Sequence, residues 1–359
     1  MHQVALHDTD KLYNDAVSLL KQLISIPSYS KEENGTAETI GQFLQSKGVT
    51  TNRLVNNIWA INKHFNPSKP TILLNSHHDT VKPNKDYTND PFSAIESEGK
   101  LFGLGSNDAG GCLVSLIATF LFFYERTDLA YNLLIAATAE EEISGANGIE
   151  KLLTVLPTID CALVGEPTLM DMAVAEKGLM VLDCTAHGKS GHAAREEGEN
   201  AIYKAINDIE WFRNYTFPKV SPLLGPVKMN VTVINAGTQH NVIPAVCAFV
   251  VDIRINDCYT HEELLAEIQQ HVQCDVKARS TRLRSTSIDI THPIVKAGAN
   301  LGLKPFGSAT LSDKALMPFP AMKIGPGDSA RSHTADEFIY LHEIKQGIDI
   351  YIQILNQVL

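Results

Sequence analysis

Past residue 177 the hydrophobic rhythm of this chain changes, and that change bounds the fold more tightly than any single motif. Before it, short apolar runs (residues 57–61, 71–74 and 132–138) alternate with stretches of helical spacing. Residues 8–26 place Leu12, Ala16, Leu19, Leu20 and Leu23 on one helical face. A second helix is expected after Ser30, which with Glu33 reads as a capping box, and a third over residues 111–126. Strands interleaved with helices predict an α/β layered, mixed sheet with helices on both faces. After residue 177, residues 180–187, 227–234 and 248–255 alternate like half-buried strands, with helical stretches at 200–213 and 261–272. That order predicts a compact α+β sandwich of about a hundred residues. From residue 287 the first rhythm returns and ends in an amphipathic helix over residues 341–358. The economical topology is an insertion: residues 1–176 and 285–359 form one discontinuous domain, and residues 177–284 form a second domain set into it. A length of 359 residues accommodates two cores.

Composition narrows the function. Forty-one acidic residues against 30 basic ones leave a formal charge of -11, and no basic run offsets it. Such a chain is a poor partner for nucleic acid or an anionic membrane. The most apolar run, residues 113–124, is too short to span a bilayer, and the first 17 residues lack the basic-then-apolar order of a signal peptide. Six scattered cysteines without a C-x-x-C pair read as reduced thiols. A cytoplasmic protein is expected.

Chemistry-bearing residues recur where the apolar strands end. The TILL run leads into Ser76-His77-His78-Asp79, where alternation on an extended backbone puts His77 and Asp79 on one side. A polar loop after a buried strand is the simpler reading of that motif alone. Asp108 lies among glycines in Gly103-Leu104-Gly105-Ser106-Asn107-Asp108-Ala109-Gly110-Gly111 and opens an apolar helix, so by itself it reads as an N-cap. Glu140, Glu141 and Glu142 follow the NLLIAATA strand, where uncompensated charge is costly and a cation would remove the cost. Glu166 follows Leu163-Val164-Gly165, and His333 lies in Gly325-Pro326-Gly327-Asp328-Ser329-Ala330-Arg331-Ser332-His333. Each motif is weak alone; their order is far more specific. No G-x-S-x-G elbow is present, which argues against a serine nucleophile of the α/β-hydrolase kind.

In that order the chain resembles the zinc-dependent family of acetylornithine deacetylase, succinyl-diaminopimelate desuccinylase, aminoacylases and glutamate-releasing carboxypeptidases. The resemblance covers nearly the whole chain, including Gly188-Lys189-Ser190-Gly191-His192-Ala193-Ala194 and Gly237-Thr238-Gln239-His240-Asn241-Val242-Ile243-Pro244. It implies two zinc ions, with cobalt or manganese as substitutes. It places His77 and Glu166 on one ion, Glu142 and His333 on the other, and Asp108 between them. Asp79 would orient His77, Glu141 would be the general base, and His192 would donate to the oxyanion, often from the other subunit of a dimer. Arg254, Asn241 and Gly327 would contact substrate. The inserted domain would serve as lid and dimerisation surface. Two positions depart from the family pattern: Glu140 stands where aspartate is common, and Ser144 where glycine is.

The chemistry is coherent with these assignments. Two cations about 3.5–4 Å apart need a shared carboxylate, and a free glutamate can take a water's proton and return it to the leaving amine. Guanidinium suits Arg254 to a substrate carboxylate; for His192 the functional role outweighs the alternative of a surface-loop histidine, whereas Arg331 reads first as a surface ion pair. The expected reaction is hydrolysis of an N-acyl amino acid, foremost N-acetyl- or N-succinyl-ornithine or -citrulline in arginine biosynthesis. A succinyl-diaminopimelate desuccinylase and a di- or tripeptidase are the alternatives on one scaffold, and an inactive metal-binding homologue is the non-enzymatic one.

Overall fold

The computed structural model describes residues 6–195 and 197–359. Residues 1–5, where the reading of the N-terminus begins, lie outside the described residues. The chain divides into two compact units. One comprises residues 1–174, 288–306 and 312–359; the other comprises residues 175–287 together with 307–311, a short return that the change of rhythm does not reveal.

The first unit is built on a mixed sheet. Its strand order runs Asn52–Leu54, Asn57–Ile61, Asn132–Thr138, Thr71–His77, Cys161–Val164 and Ala321–Lys323, and continues to Met172–Glu176. Thr71–His77 runs parallel to Asn132–Thr138 and to Cys161–Val164, while Asn57–Ile61 is antiparallel to its neighbour. Both central strands are buried at every residue, which explains why they read as continuous apolar runs. Alternation then divides them between two layers. Ile72, Leu74, Leu133, Ile135 and Leu163 pack into a core with the helices Leu6–Ile24, Asn34–Ser46, Gly111–Phe123 and Leu341–Asn356. Leu73, Leu134, Ala136 and Ala162 face the other way, against Ile149 and Leu152 of a short helix and against Met317. Helices therefore cover both faces.

Helix Gly111–Phe123 is apolar all round and almost wholly buried. Among the described residues one 18-residue window, Ser106–Phe123, is apolar and long enough to cross a membrane by length and composition. It is 83% buried inside the protein and serves as a core element. A three-stranded antiparallel sheet of Ile95–Ser97, Lys100–Phe102 and Phe338–Tyr340 completes the unit. Its strands are three residues each, too short for alternation to show in the sequence.

The second unit is a four-stranded antiparallel sheet in the order Lys228–Ala236, Val246–Ile255, Gly178–His187 and Asp275–Ala278. Met180, Leu182, Cys184 and Ala186 face one side with Phe249, Val251 and Ile253, against helices Ala201–Asn214 and His261–His271. Thr260 and Glu263 form a capping box at the second of these helices.

The capping box expected at Ser30 and Glu33 does not form. Helix Asn34–Ser46 starts after Glu33 without a side-chain cap. Ser30 instead donates to Asp79 at 2.7 Å, and Glu33 accepts from the Lys31 and Glu140 backbones. Local spacing was satisfied, yet partners far along the chain took both side chains.

Candidate metal centre

Three parallel strands end at one edge of the sheet, and each delivers an acid or an imidazole. Strand Thr71–His77 ends on His77, Asn132–Thr138 runs on to Glu140, Glu141 and Glu142, and Cys161–Val164 runs on to Glu166. Loops beyond the carboxyl ends of parallel strands are where such sheets bind ligands. His333 arrives from the loop after Ala321–Lys323, at a left-handed φ of 60°.

His77 is buried, and its Nδ1 lies 2.9 Å from the Asp79 carbonyl oxygen, with the Asp79 carboxylate 3.5 Å away. A carbonyl only accepts, so Nδ1 carries a proton and Nε2 is the ligating nitrogen. Nε2 stands 3.4 Å from Asp108 Oδ1, 3.8 Å from Glu166 and 4.0 Å from Glu141. His333 Nε2 lies 3.0 Å from Glu142 Oε2 and 3.5 Å from Asp108 Oδ2. The two oxygens of Asp108 thus face different imidazoles.

Asp108 is not an N-cap. Helix Gly111–Phe123 begins after Gly110 with no side-chain cap, and the Asp108 carboxylate turns into the cluster instead. The Asp108–Ala109 peptide bond is cis. Behind it, buried Glu337 accepts from the Gly105, Asn107 and Asp108 backbone N–H groups, so one carboxylate holds the whole loop. Burial, then the charge of Asp108, pushes the Glu337 carboxyl up to about 8. Glu337 closes the His333 segment, but nothing in its sequence surroundings marks it as a loop anchor.

Asp79 is fully buried and accepts from Ser30 and from the Glu141 and Glu142 backbones at 3.0 and 3.2 Å. It therefore places both glutamates as well as His77. The acidic turn is tight: Glu140 has φ 57° and Ser144 φ 47°. Ser144 adopts the left-handed conformation that glycine meets without strain, which accounts for the glycine the related pattern has there. Glu140 is buried and accepts from Asn147, so it shapes the turn rather than facing the cluster.

The electrostatics are those of a crowded cluster of acids and imidazoles. Burial opposes charge on His77, but hydrogen bonds to Asp108 and Asp79 raise it well above the usual imidazole range. The hydrogen bond to Glu142 raises His333 to about 9. Burial and then the Glu166 charge raise Glu141 well above an ordinary carboxyl. Candidate ligand atoms of His77, Asp108 and Glu142, and of His77, Glu141 and Glu166, each lie within 4.8 Å of one another. Imidazoles among shared carboxylates fit divalent cations of the zinc type, and buried acids this close are costly without one.

Of the remaining candidates, His192, Asn241 and Arg254 belong to the second unit. His192 is exposed in the second unit, on the short pair of strands Gly191–His192 and Val242–Ile243. Its Nδ1 accepts from the Ala194 backbone at 3.1 Å, which leaves Nε2–H as a free donor. Asn241, in the same unit, is exposed, and its carbonyl accepts from Ala193. Arg254 holds Asp252 through Nε at 2.8 Å and Nη2 at 3.1 Å, so its guanidinium already carries one carboxylate. Gly327, in the first unit, has φ 90°, and a Cβ there would collide with the Asn107 side chain. Arg331 makes a bidentate pair with Glu343 at 2.6 and 2.8 Å. Both side chains are largely covered, so this pair is mostly buried rather than a surface one.

The sequence profile of Peptidase family M20/M25/M40 matches residues 73–357. An acetylornithine deacetylase of Proteus mirabilis is 29% identical over 95% of this chain and 96% of its own. A succinyl-diaminopimelate desuccinylase of Acidiphilium cryptum is 25% identical over 96% and 98%. Among solved structures, the aminopeptidase PepT of Bacillus cereus superposes with a TM-score of 0.77 at 17% identity, covering 96% of this chain and 98% of that one. The chain belongs to Peptidase family M20/M25/M40 and is a metal-dependent hydrolase of amide bonds.

Proposed function

We propose that the protein removes the acyl group from an N-acyl amino acid, with N-acetyl- or N-succinyl-ornithine or -citrulline as the preferred class. The observation that carries the site assignment is the division of Asp108, Oδ1 toward His77 and Oδ2 toward His333. His77 and Glu166 would hold one zinc-type ion, Glu142 and His333 the other, and Asp108 would be shared. Bound there, the ions supply Lewis-acid polarisation of the scissile carbonyl and acidify water. Glu141 and Glu142 divide their roles because only Glu142 meets His333, which leaves the Glu141 carboxylate to take the attacking water's proton and pass it to the leaving amine. Asp79 fixes the His77 ring through Nδ1 and both glutamates through their backbones.

His192, with Nε2–H free, suits oxyanion donation, and the remaining N–H groups of Arg254 suit a substrate carboxylate. Asn241 and Gly327 are assigned to substrate contact with them. Homodimerisation through the second unit is supported by strand Lys228–Ala236, an edge strand on which Val233 and Ile234 are exposed. Relatives with near-equal identity carry deacetylase and desuccinylase names, so the acyl group is the open choice.

The test is amine release from N-acetylornithine, N-acetylcitrulline, their N-succinyl counterparts, N-succinyl-diaminopimelate and dipeptides, with zinc and after chelation. Chelator-sensitive release confined to ornithine and citrulline derivatives is expected, and Glu141→Gln should keep the metal and lose that release. Preference for diaminopimelate or dipeptides would move the substrate to the alternative class. Metal-loaded protein silent across the panel would overturn the substrate reading.

A further inference from the structure

One more carboxylate lies at the base of this cluster. Asp313 opens the short helix Asp313–Leu316 and is 4% exposed. Its Oδ2 accepts from Asn75 Nδ2 at 2.9 Å and from Thr138 Oγ1 at 2.6 Å. These donors are placed informatively. Asn75 lies two residues before His77 on one strand, and Thr138 ends the neighbouring strand in direct register with His77. Three residues beyond Thr138 comes Glu141. One oxygen therefore grips the two strand ends that deliver His77, Asp79, Glu141 and Glu142.

Both donors converge on a single carboxylate oxygen, so Asp313 is an acceptor shared by two strands. Asn75 supports that reading, because its amide gives its N–H to Asp313 while its own oxygen is buried and unpartnered. Burial raises the Asp313 carboxyl to about 6 against the opposing pull of those two hydrogen bonds and of the His77 charge. A buried carboxylate is costly unless positive charge nearby repays it. The ions assigned above would do so.

We propose that Asp313 is a positioning residue of the metal centre, a charged clamp that holds the ends of strands Thr71–His77 and Asn132–Thr138 in ligating register. This rests on the metal-site reading above. Outer carboxylates that hold ligands in place are worth about 10–100-fold in metal affinity or activity when removed. The test compares Asp313→Ala, Asp313→Asn and Thr138→Val with the parent protein. Zinc affinity is measured by calorimetry on chelator-treated protein, the cobalt-substituted visible spectrum is recorded, and kcat and KM are taken separately on whichever panel substrate turns over.

Asp313→Ala should weaken zinc binding by about 10–100-fold and lower kcat with KM little changed. Asp313→Asn, which keeps an acceptor for both donors, should recover part of each loss, and Thr138→Val should lose part of each. The cobalt spectrum should alter in Asp313→Ala. Metal affinity, spectrum and kcat all unchanged in folded Asp313→Asn and Thr138→Val would overturn the proposal. Should Asp313→Ala not fold, those two variants decide it alone. Parent protein that binds no zinc would instead defeat the metal-site reading, so the two failures are distinct.

Discussion

Glu142 and His333 meet at 3.0 Å as an ion pair, and that contact makes cation uptake a proton exchange. His333 is raised to about 9, so in metal-free protein at pH 7 it is protonated, and a protonated imidazole cannot ligate. Cation binding must expel that proton, and His77, raised by Asp108 and Asp79 against burial, adds to the effect. Apparent zinc affinity should therefore climb as the pH rises from 7 toward about 9. Calorimetry at pH 7 in buffers of different ionisation enthalpy should show net proton release; heats independent of buffer would count against the assignment. His77, Asp79, Asp108, Glu141, Glu142, Glu166 and His333 were legible only as an ordered series after strands and glycine loops, and their roles came from the resemblance which that order carries. Asp313 and Glu337 were not legible. Each works through backbone or amide donors more than sixty residues away, and no local spacing records such a partner.

At the scale of elements, the turn after Asn132–Thr138 concentrates the demands on the chain. Gly145 donates its backbone N–H to the Glu140 carbonyl at 2.7 Å, and a Cβ at Gly145 would collide with the Glu140 carboxylate. Glu140 is buried and held by Asn147, so it has little room to yield. Gly145→Ala should cost about 1–3 kcal/mol, the usual penalty of overpacking, measured by denaturant unfolding. It should also weaken metal binding, because Glu141 and Glu142 ride on this turn. Unchanged unfolding would mean the turn relaxes freely. Element type was readable in several of the longer runs: Asn57–Ile61 and Asn132–Thr138 match expectation to the residue, whereas strand Met172–Glu176 and helix Pro293–Asn300 were not singled out. The expected helix over residues 111–126 instead ends at Phe123. Capping geometry was less readable, since Ser30, Glu33 and Asp108 satisfy helix-start patterns yet spend their oxygens on tertiary partners.

Across the whole molecule, the cation-binding cluster belongs to one unit and to one set of cores. The buried residues of the first unit and those of the second form separate hydrophobic clusters. A ligand that binds only the folded state stabilises what it touches, by about 4 kcal/mol at a thousandfold excess over its dissociation constant. Chelation should lower the unfolding temperature of the first unit and leave that of the second nearly unmoved. Calorimetric scanning, with Trp59 reporting on the first unit and Trp211 on the second, would separate the transitions. Equal shifts in both would show that the units unfold as one.

The order in which the ligands occur along the chain has a consequence for synthesis. Strand Ala321–Lys323 pairs parallel to Cys161–Val164, and His333 follows it. A chain emerging from the ribosome therefore carries His77, Asp108, Glu142 and Glu166 while strand Cys161–Val164 is still an open edge. Between Glu166 and His333 lie 166 residues still to be translated. At about 5–20 residues per second the gap lasts on the order of ten seconds or more. For that time the nascent sheet exposes an unpaired apolar strand, the kind of edge that invites aggregation. The second unit, all of whose main strands are made within that interval, is the part that can fold while the first unit waits.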